Sequence, residues 1–248
     1  MKTTGNTIFI PGATSGIGFG LALRLHEAGN RVIVGGRRVE LLEQIASDHP
    51  GMETIRIDTA DAADVSSACA DVQKRFPETN VLIAMAGIMR SEDLSDAGFL
   101  DTAVAEVETN ILGPLRLVAA FAEFLAAQPD AVIMTVSSGL AFTPMAGTPT
   151  YSATKAAIHS FSDSLRLQLA DKGVGVLELV PPAVQTDLMP GQAEADWAMP
   201  LDDFLDEVMS LLPSATREIL VDRVKPLRFS AQEGNYDDLM AALAQQAG

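Results

Sequence analysis

The chain is short of several things, and each shortage closes off a class of function. One cysteine, Cys69, stands among 248 residues, so neither an intramolecular disulfide nor a thiolate metal cluster can form, and the chain suits a reducing compartment such as the cytoplasm. The three histidines, His26, His49 and His159, show no ligand spacing, and no metal is expected. Basic side chains are scarce: 17 Lys+Arg against 33 Asp+Glu give a formal charge of −16 and a pI near 4.4. That sign excludes nucleic acids and anionic membranes as partners and disfavours strongly acidic proteins. The longest uncharged apolar stretch, Val81 to Met89, falls far short of the ~20 residues that cross a bilayer. Behind Lys2 only the short run Ile8 to Ile10 follows, so no secretory signal is expected. There is no internal repeat, low-complexity tract or Pro/Ser-rich linker.

What is present is a globular composition, 48% hydrophobic and 20% charged, at a length that suits one α/β domain spanning 1–248. Short β-branched runs occur at Thr7 to Ile10, Arg31 to Val34, Glu53 to Ile57, Val81 to Ala84, Ala131 to Val136 and Gly175 to Val180. Segments with helical periodicity separate them, with apolar stripes at Ile17, Leu21 and Leu25, at Val104, Val107, Ile111, Leu115 and Val118, and at Ala157, Phe161, Leu165 and Leu169. This alternation predicts a doubly wound, Rossmann-type domain around a central parallel sheet, its strands covered on both faces. The stretch 187–213, with Met189, Pro190, Trp197, Met199 and Pro200, has no settled period and is expected to form a substrate lid.

Three local patterns carry chemistry. The first strand runs into Gly12-Ala-Thr-Ser-Gly16-Ile-Gly18 and then a helix, where glycines permit a tight turn and let backbone amides approach a pyrophosphate. Tyr151 and Lys155 stand four apart, side by side on one helix face. A free tyrosine titrates near ~10, and lowering it by about three units takes roughly 4 kcal/mol of preferential phenolate stabilisation. A nearby ammonium and an oxidised nicotinamide are two positive charges able to supply it. Finally, Pro114 has no N–H to give the carbonyl of Asn110, four residues earlier, so the helix should kink there and leave an acceptor free for water.

The glycine spacing resembles that of the short-chain dehydrogenase/reductase family, and four further features resemble it in order and spacing. They are Tyr151-Ser-Ala-Thr-Lys155, Ser138 thirteen residues before the tyrosine, Asn110 in the preceding helix, and the loop Pro181 to Thr186. The likeness covers the chain to Thr186 and implies a catalytic set. In it Tyr151 is the general acid in reduction, Ser138 polarises the carbonyl, Lys155 binds the ribose and lowers the tyrosine pKa, and Asn110 holds a relay water. It likewise implies a cofactor site built from Gly12, Thr14, Ser15, Gly16, Ile17 and Gly18, from Asp58 and Thr59 at the adenine, from Met85, Ala86 and Gly87 at its ribose, and from Tyr151, Lys155, Pro181, Val184 and Thr186. Where NAD-preferring members place an acid, eighteen residues after Gly18, stands Gly36, followed by Arg37 and Arg38. Two guanidinium groups without a competing carboxylate favour a 2′-phosphate, hence NADP(H). The chain departs from the family at Pro11, at Ala84-Met85 and at Pro182, where Thr, Asn-Asn and Gly are usual.

The expected activity is hydride transfer between NADP(H) and a ketone or secondary alcohol. Leu140, Phe142 and Met145 on one side, and Leu188, Met189, Trp197, Met199 and Leu201 on the other, bracket the polar pair Ser138 and Tyr151, so a hydrophobic or aromatic ketone is expected. Ser138, and not Ser137, should face the tyrosine, because successive residues leaving a strand point to opposite sides. A homodimer or homotetramer is expected. The alternatives are a regulator that senses NADP(H) without turnover, and a reductase of carrier-bound 3-oxoacyl groups.

Overall fold

The computed structural model describes residues 1–246; Ala247 and Gly248 of the expected domain lie outside them. Six of the apolar runs become the strands β1 (Thr7–Pro11), β2 (Arg31–Gly36), β3 (Glu53–Arg56), β4 (Val81–Ala84), β5 (Val132–Val136) and β6 (Gly175–Leu179). A seventh, β7 (Glu218–Ile219), pairs with β6. All pairings are parallel, in the order β3-β2-β1-β4-β5-β6-β7. The chain winds outward from β1 to β3, then returns to β4 and winds the other way. The reversal between β1 and β4 opens a crevice beyond the carboxyl ends of the strands.

Alternation along β1 shows why the sheet is covered on both sides. Ile8 and Ile10 face one hydrophobic core with the helices α1 (Gly16–Glu27), α2 (Val39–Asp48) and α7 (Leu201–Leu211). Phe9 faces a second core with α3 (Ala62–Arg75), α5 (Gly113–Ala126) and α6 (Pro149–Leu169). All three residues are fully buried, each contributing roughly 1.5–3 kcal/mol by leaving water. The expected lid is shorter than 187–213. Phe204, Leu205 and Val208 on α7, and Leu212 beyond it, are buried in the first core, so only the segment up to Pro200 remains as a covering loop. Apolar residues at 201, 204, 205, 208 and 212 give α7 a stripe of helical period, which docks on the sheet.

The break expected near Pro114 takes a specific form. Helix α4 (Phe99–Val107) continues through a π turn, Glu108–Leu112, into α5, making one helical segment, Phe99–Ala126. The Gly113 N–H donates to Glu108 O, five residues back, and Pro114 falls in the first turn of α5, where its missing N–H is tolerated. By length and composition this segment is apolar enough to span a membrane. Its Leu117, Val118, Phe121 and Leu125, however, pack in the second core. The C-terminal part is short and helical: α8 (Lys225–Arg228), α9 (Ser230–Glu233) and α10 (Tyr236–Gln246).

Candidate active site

The turn after β1 and the turn after β4 meet at the crevice, and glycine is what lets them. A Cβ on Gly12 would lie 2.5 Å from the backbone of Ala86, and one on Gly18 would lie 2.5 Å from Gly12 O and 2.8 Å from Met85 Cγ. Gly12 and Gly16 also take positive φ, +90° and +55°. Ser15 caps α1 with extended backbone, its side chain bonds none of the helix's own amides, and the first turn contains no acid. Its free amides and the helix dipole are therefore presented to the crevice, which is what a pyrophosphate requires.

The crevice is a cleft of about 500 Å³. It is lined by Gly12, Ser15, Gly16, Ile17 and Gly18, by Arg37, Arg38, Asp58 and Thr59, by Met85, Ala86 and Gly87, by Ser138, Tyr151 and Lys155, and by Pro181, Val184 and Thr186. Two expected residues are not on its wall. Thr14 turns toward the end of β2, where its Oγ1 accepts from Arg38 Nη2 at 2.7 Å and its methyl would lie 2.4 Å from a Cβ on Gly36. Asn110 lies behind the wall, 1% exposed. Its Oδ1 accepts from Ile88 N at 2.8 Å, and its Nδ2 donates to Ile88 O at 2.8 Å and Thr154 Oγ1 at 3.2 Å. The asparagine side chain thus fastens the loop after β4 to α6.

The two arginines differ. Arg38 donates to both Thr14 Oγ1 and, at 2.9 Å, Ser15 Oγ, closing the glycine turn over the end of β2. Arg37 is exposed, its Nη1 3.9 Å from Asp58 Oδ2. Gly36, the last residue of β2, offers no carboxylate at the strand end, and Asp58 is the acid nearest Arg37.

Beyond Ser138 and Tyr151 lies a smaller pocket of about 250 Å³. Leu140, Met145, Leu188, Met189 and Trp197 line it as expected, and among the described residues none that lines it is charged. Phe142, Met199 and Leu201 do not reach it. Phe142 stacks edge-on against His159 with Arg228 over its ring, Met199 joins the first core and pairs with Val184, and Leu201 packs against that core. Leu227 and Leu243, from the C-terminal helices, complete the wall instead. Nothing local in the sequence marks them, because they arrive only when the end of the chain folds back. The lid is tied to the loop after β6: Gln185 N donates to Met199 O, Met199 N to Ala183 O, and Gln192 Nε2 to Val184 O at 2.7 Å.

The electrostatics of Tyr151 run opposite to expectation. Burial, first, drives its pKa above the ordinary tyrosine value, Glu106 pushes the same way, and the hydrogen bond with the Ser138 hydroxyl pulls it down. Lys155 is lowered to about 8, chiefly by burial and against the pull of Glu106 and Glu178. Its Nζ donates to Val136 O at 2.9 Å and stands 5.5 Å from the centre of the tyrosine ring. The polypeptide alone keeps the phenol protonated, the form that a proton donor needs at the start of a reduction. Two features of this region carry no motif and escape a reading by spacing: the buried Glu106, one helical turn before Asn110, and the buried Glu178 behind Ser137.

Fold, glycine turn and the cluster of Ser138, Tyr151 and Lys155 define a nucleotide-dependent oxidoreductase, and the comparisons agree. The family model described as short chain dehydrogenase matches residues 6–197, and the chain belongs to the short-chain dehydrogenase/reductase family. It is 37% identical over 253 residues to the uncharacterized oxidoreductase DltE of Bacillus subtilis, covering 99% of each chain. Among solved structures, a short-chain dehydrogenase from Burkholderia cenocepacia in complex with NADP superposes with a TM-score of 0.84 at 26% identity, covering 98% of this chain and 99% of that one. An alcohol dehydrogenase from Thermococcus sibiricus, complexed with 5-hydroxy-NADP, gives a TM-score of 0.78 at 25% identity, covering 87% and 95%.

Proposed function

We propose that this chain transfers hydride between NADP(H) and a ketone or secondary alcohol bearing an apolar or aromatic group. The observation that carries this is the position of Ser138 and Tyr151. Both border the large cleft and the small apolar pocket, so their hydroxyls stand where a cofactor on one side would meet a substrate on the other. Bound NADP(H) supplies or accepts the hydride. Gly12, Gly16 and the first turn of α1 would hold its pyrophosphate, Arg37 its 2′-phosphate, Asp58 and Thr59 its adenine, and Lys155 its ribose. Ser138 orients the carbonyl oxygen, and Tyr151, neutral in this site, gives it a proton. Asn110 keeps the loop after β4 in register with α6, beside the π turn in which its own carbonyl lies, and that carbonyl is suited to hold a relay water.

This reading places the protein in the cytoplasm and makes it an oligomer. Leu100, Val104 and Val107 on α4 and Leu167 on α6 are exposed apolar side chains that a second copy would cover. Oxidation of NADPH, followed by absorbance across a panel of ketones and aldehydes, tests the function. Turnover of at least one apolar ketone is the expected result. Tight NADPH binding with no turnover across the panel would instead favour a cofactor-sensing regulator.

A further inference from the structure

The small pocket beyond Ser138 and Tyr151 is built from the segments that follow β4, β5 and β6, with two exceptions, Leu227 on α8 and Leu243 on α10. The two are held in different ways. Leu227 takes the space that glycine leaves at 139, where a Cβ would lie 2.7 Å from Leu227 Cδ1. The buried Thr143 donates from Oγ1 to Leu227 O at 3.0 Å. The adjoining Arg228 donates from Nε to Glu218 Oε1 at 2.8 Å, with its guanidinium 4.3 Å from the centre of the Phe142 ring. Leu227 therefore moves only with the serine loop. Helix α10, by contrast, lies on the surface. Tyr236, Leu239, Met240 and Leu243 share one face of it at helical spacing, all four partly exposed, and the other described residues between 237 and 245 are exposed. Among the described residues none of α10 belongs to either hydrophobic core, and only Leu243 reaches the pocket.

The space enclosed is small, about 250 Å³, against on the order of 150 Å³ for an apolar cavity that binds a single benzene ring. One ring with its carbonyl arm fills it. The thioethers of Met145 and Met189 adjust to the outline of that ring, but a leucine on a helix has few rotamers and cannot fold aside in the same way. We propose that Leu243 is the specificity-determining residue of this pocket, a wall brought by the last helix that limits the apolar group beside the carbonyl to one aromatic ring. This rests on the oxidoreductase reading above and narrows its substrate class. Leu243 meets only the apolar part of the substrate; hydride and proton transfer stay with the cofactor, Ser138 and Tyr151. Because the side chain belongs to neither core, shortening it makes room for a second fused ring without disturbing the sheet. Lengthening it removes room for the first.

The test compares a phenyl methyl ketone, a naphthyl methyl ketone and a small dialkyl ketone on the full-length wild type, Leu243→Ala and Leu243→Phe. The wild type should favour the phenyl over the naphthyl ketone by at least about tenfold in kcat/KM, the low end of what one methylene of misfit in an apolar pocket produces. Leu243→Ala should raise kcat/KM for the naphthyl ketone at least about tenfold, and Leu243→Phe should lower it for the phenyl ketone by as much. Neither should change the small ketone or NADPH affinity by more than about twofold, since the change is confined to the apolar wall. Leu227→Ala should lower all three ketones together, because it loosens the loop that carries Ser138. A wild type that takes both aryl ketones equally, a Leu243→Ala that shifts them alike, or a selective gain at Leu227→Ala in place of Leu243→Ala overturns the proposal. Trp197, the one tryptophan of the chain, lines the same pocket, so quenching of its fluorescence by each aryl ketone reads binding without turnover. If no ketone is turned over, the oxidoreductase reading fails, and the quenching titration still decides whether Leu243→Ala binds the naphthyl ketone more tightly than the wild type. If Leu243→Ala does not fold, Leu243→Val, with a smaller gain in the same direction, decides it.

Discussion

The hydroxyls of Ser137 and Ser138, adjacent in sequence, leave the end of β5 toward different partners. Ser137 Oγ donates to Oε1 of the fully buried Glu178, whereas Ser138 Oγ accepts from Leu140 N at 3.2 Å and interacts with Tyr151. Ser137 is therefore held in the interior by a buried carboxyl group, and Ser138 is the hydroxyl available to a carbonyl. Ser138→Ala should lower kcat/KM by about tenfold to a hundredfold, the loss of one or two hydrogen bonds' worth of transition-state stabilisation. Ser137→Ala should act mainly on stability, since it leaves Glu178 short of a donor. A larger catalytic loss at Ser137 would reverse the assignment.

Tyr151→Phe should lower turnover by at least about a hundredfold while leaving NADPH affinity within a factor of a few, because it deletes a proton and little surface. Single-turnover kinetics with a parallel fluorescence titration separate the two effects. Retention of more than about a hundredth of the rate would remove Tyr151 from its role.

Arg37→Ala should weaken NADPH far more than NADH, by about 1.5–3 kcal/mol for one charge-assisted contact. Arg38→Ala should weaken both, since Arg38 fastens the glycine turn through Thr14 and Ser15. Measured dissociation constants for both cofactors with each variant provide the check. Equal wild-type affinities for NADPH and NADH would contradict this account of Arg37.

Much of this architecture is legible in the sequence because its signals are local. Most of the six longer strands are rich in β-branched apolar residues, and the glycine turn and the Tyr151–Lys155 pair are short-range patterns. The rest depends on distance or on competition between signals. Strand β7 is only Glu218–Ile219, too short to have a period. Helix α7 has one, but the Trp, Met and Pro residues before it lend the whole stretch the look of a lid. Pro114 announces a break without saying that it becomes a π turn. Leu227 and Leu243 enter the pocket from a remote part of the chain, and the weight of burial on Tyr151 is visible only once the site is enclosed.

The pair of His159 and Glu178 makes stability depend on pH. Oxygens of Glu178 lie 3.0 and 3.1 Å from His159 Nδ1, and this hydrogen bond is the main cause of a raised imidazole pKa. The stabilisation is fully present below the unfolded value of about 6.5 and is lost as pH rises through the higher folded value. His159→Gln should therefore cost about 1.5–3 kcal/mol at pH 6, the range for a hydrogen bond to a charged group, and less at pH 9. Denaturant melts of both proteins at the two pH values measure it, and a cost independent of pH would mean that the imidazolium contributes nothing.

The last prediction concerns what the small pocket accepts. Its walls are Leu140, Met145, Leu188, Met189, Trp197, Leu227 and Leu243, with Ser138 and Tyr151 as the polar pair. Among the described residues no lining side chain is charged, so a substrate carboxylate entering it would lose its hydration without finding a cation there, a cost that exceeds the gain from any apolar remainder. An aryl or alkyl ketone loses only its carbonyl hydration, which the two hydroxyls replace, and gains from burial of its apolar part. The thioether chains of Met145 and Met189 adapt to different outlines, so tolerance of substituent shape should be broad. Aryl ketones should thus be reduced with higher kcat/KM than small charged keto acids. Trp197 stands at the rim, half exposed, and Trp197→Ala should raise KM for an aryl ketone by about tenfold, corresponding to partial loss of one aromatic contact. Steady-state kinetics on a matched pair, one aryl ketone and one small keto acid, decide the matter. A preference for the acid would mean that a cation outside this pocket guides the substrate and that the apolar walls serve another purpose.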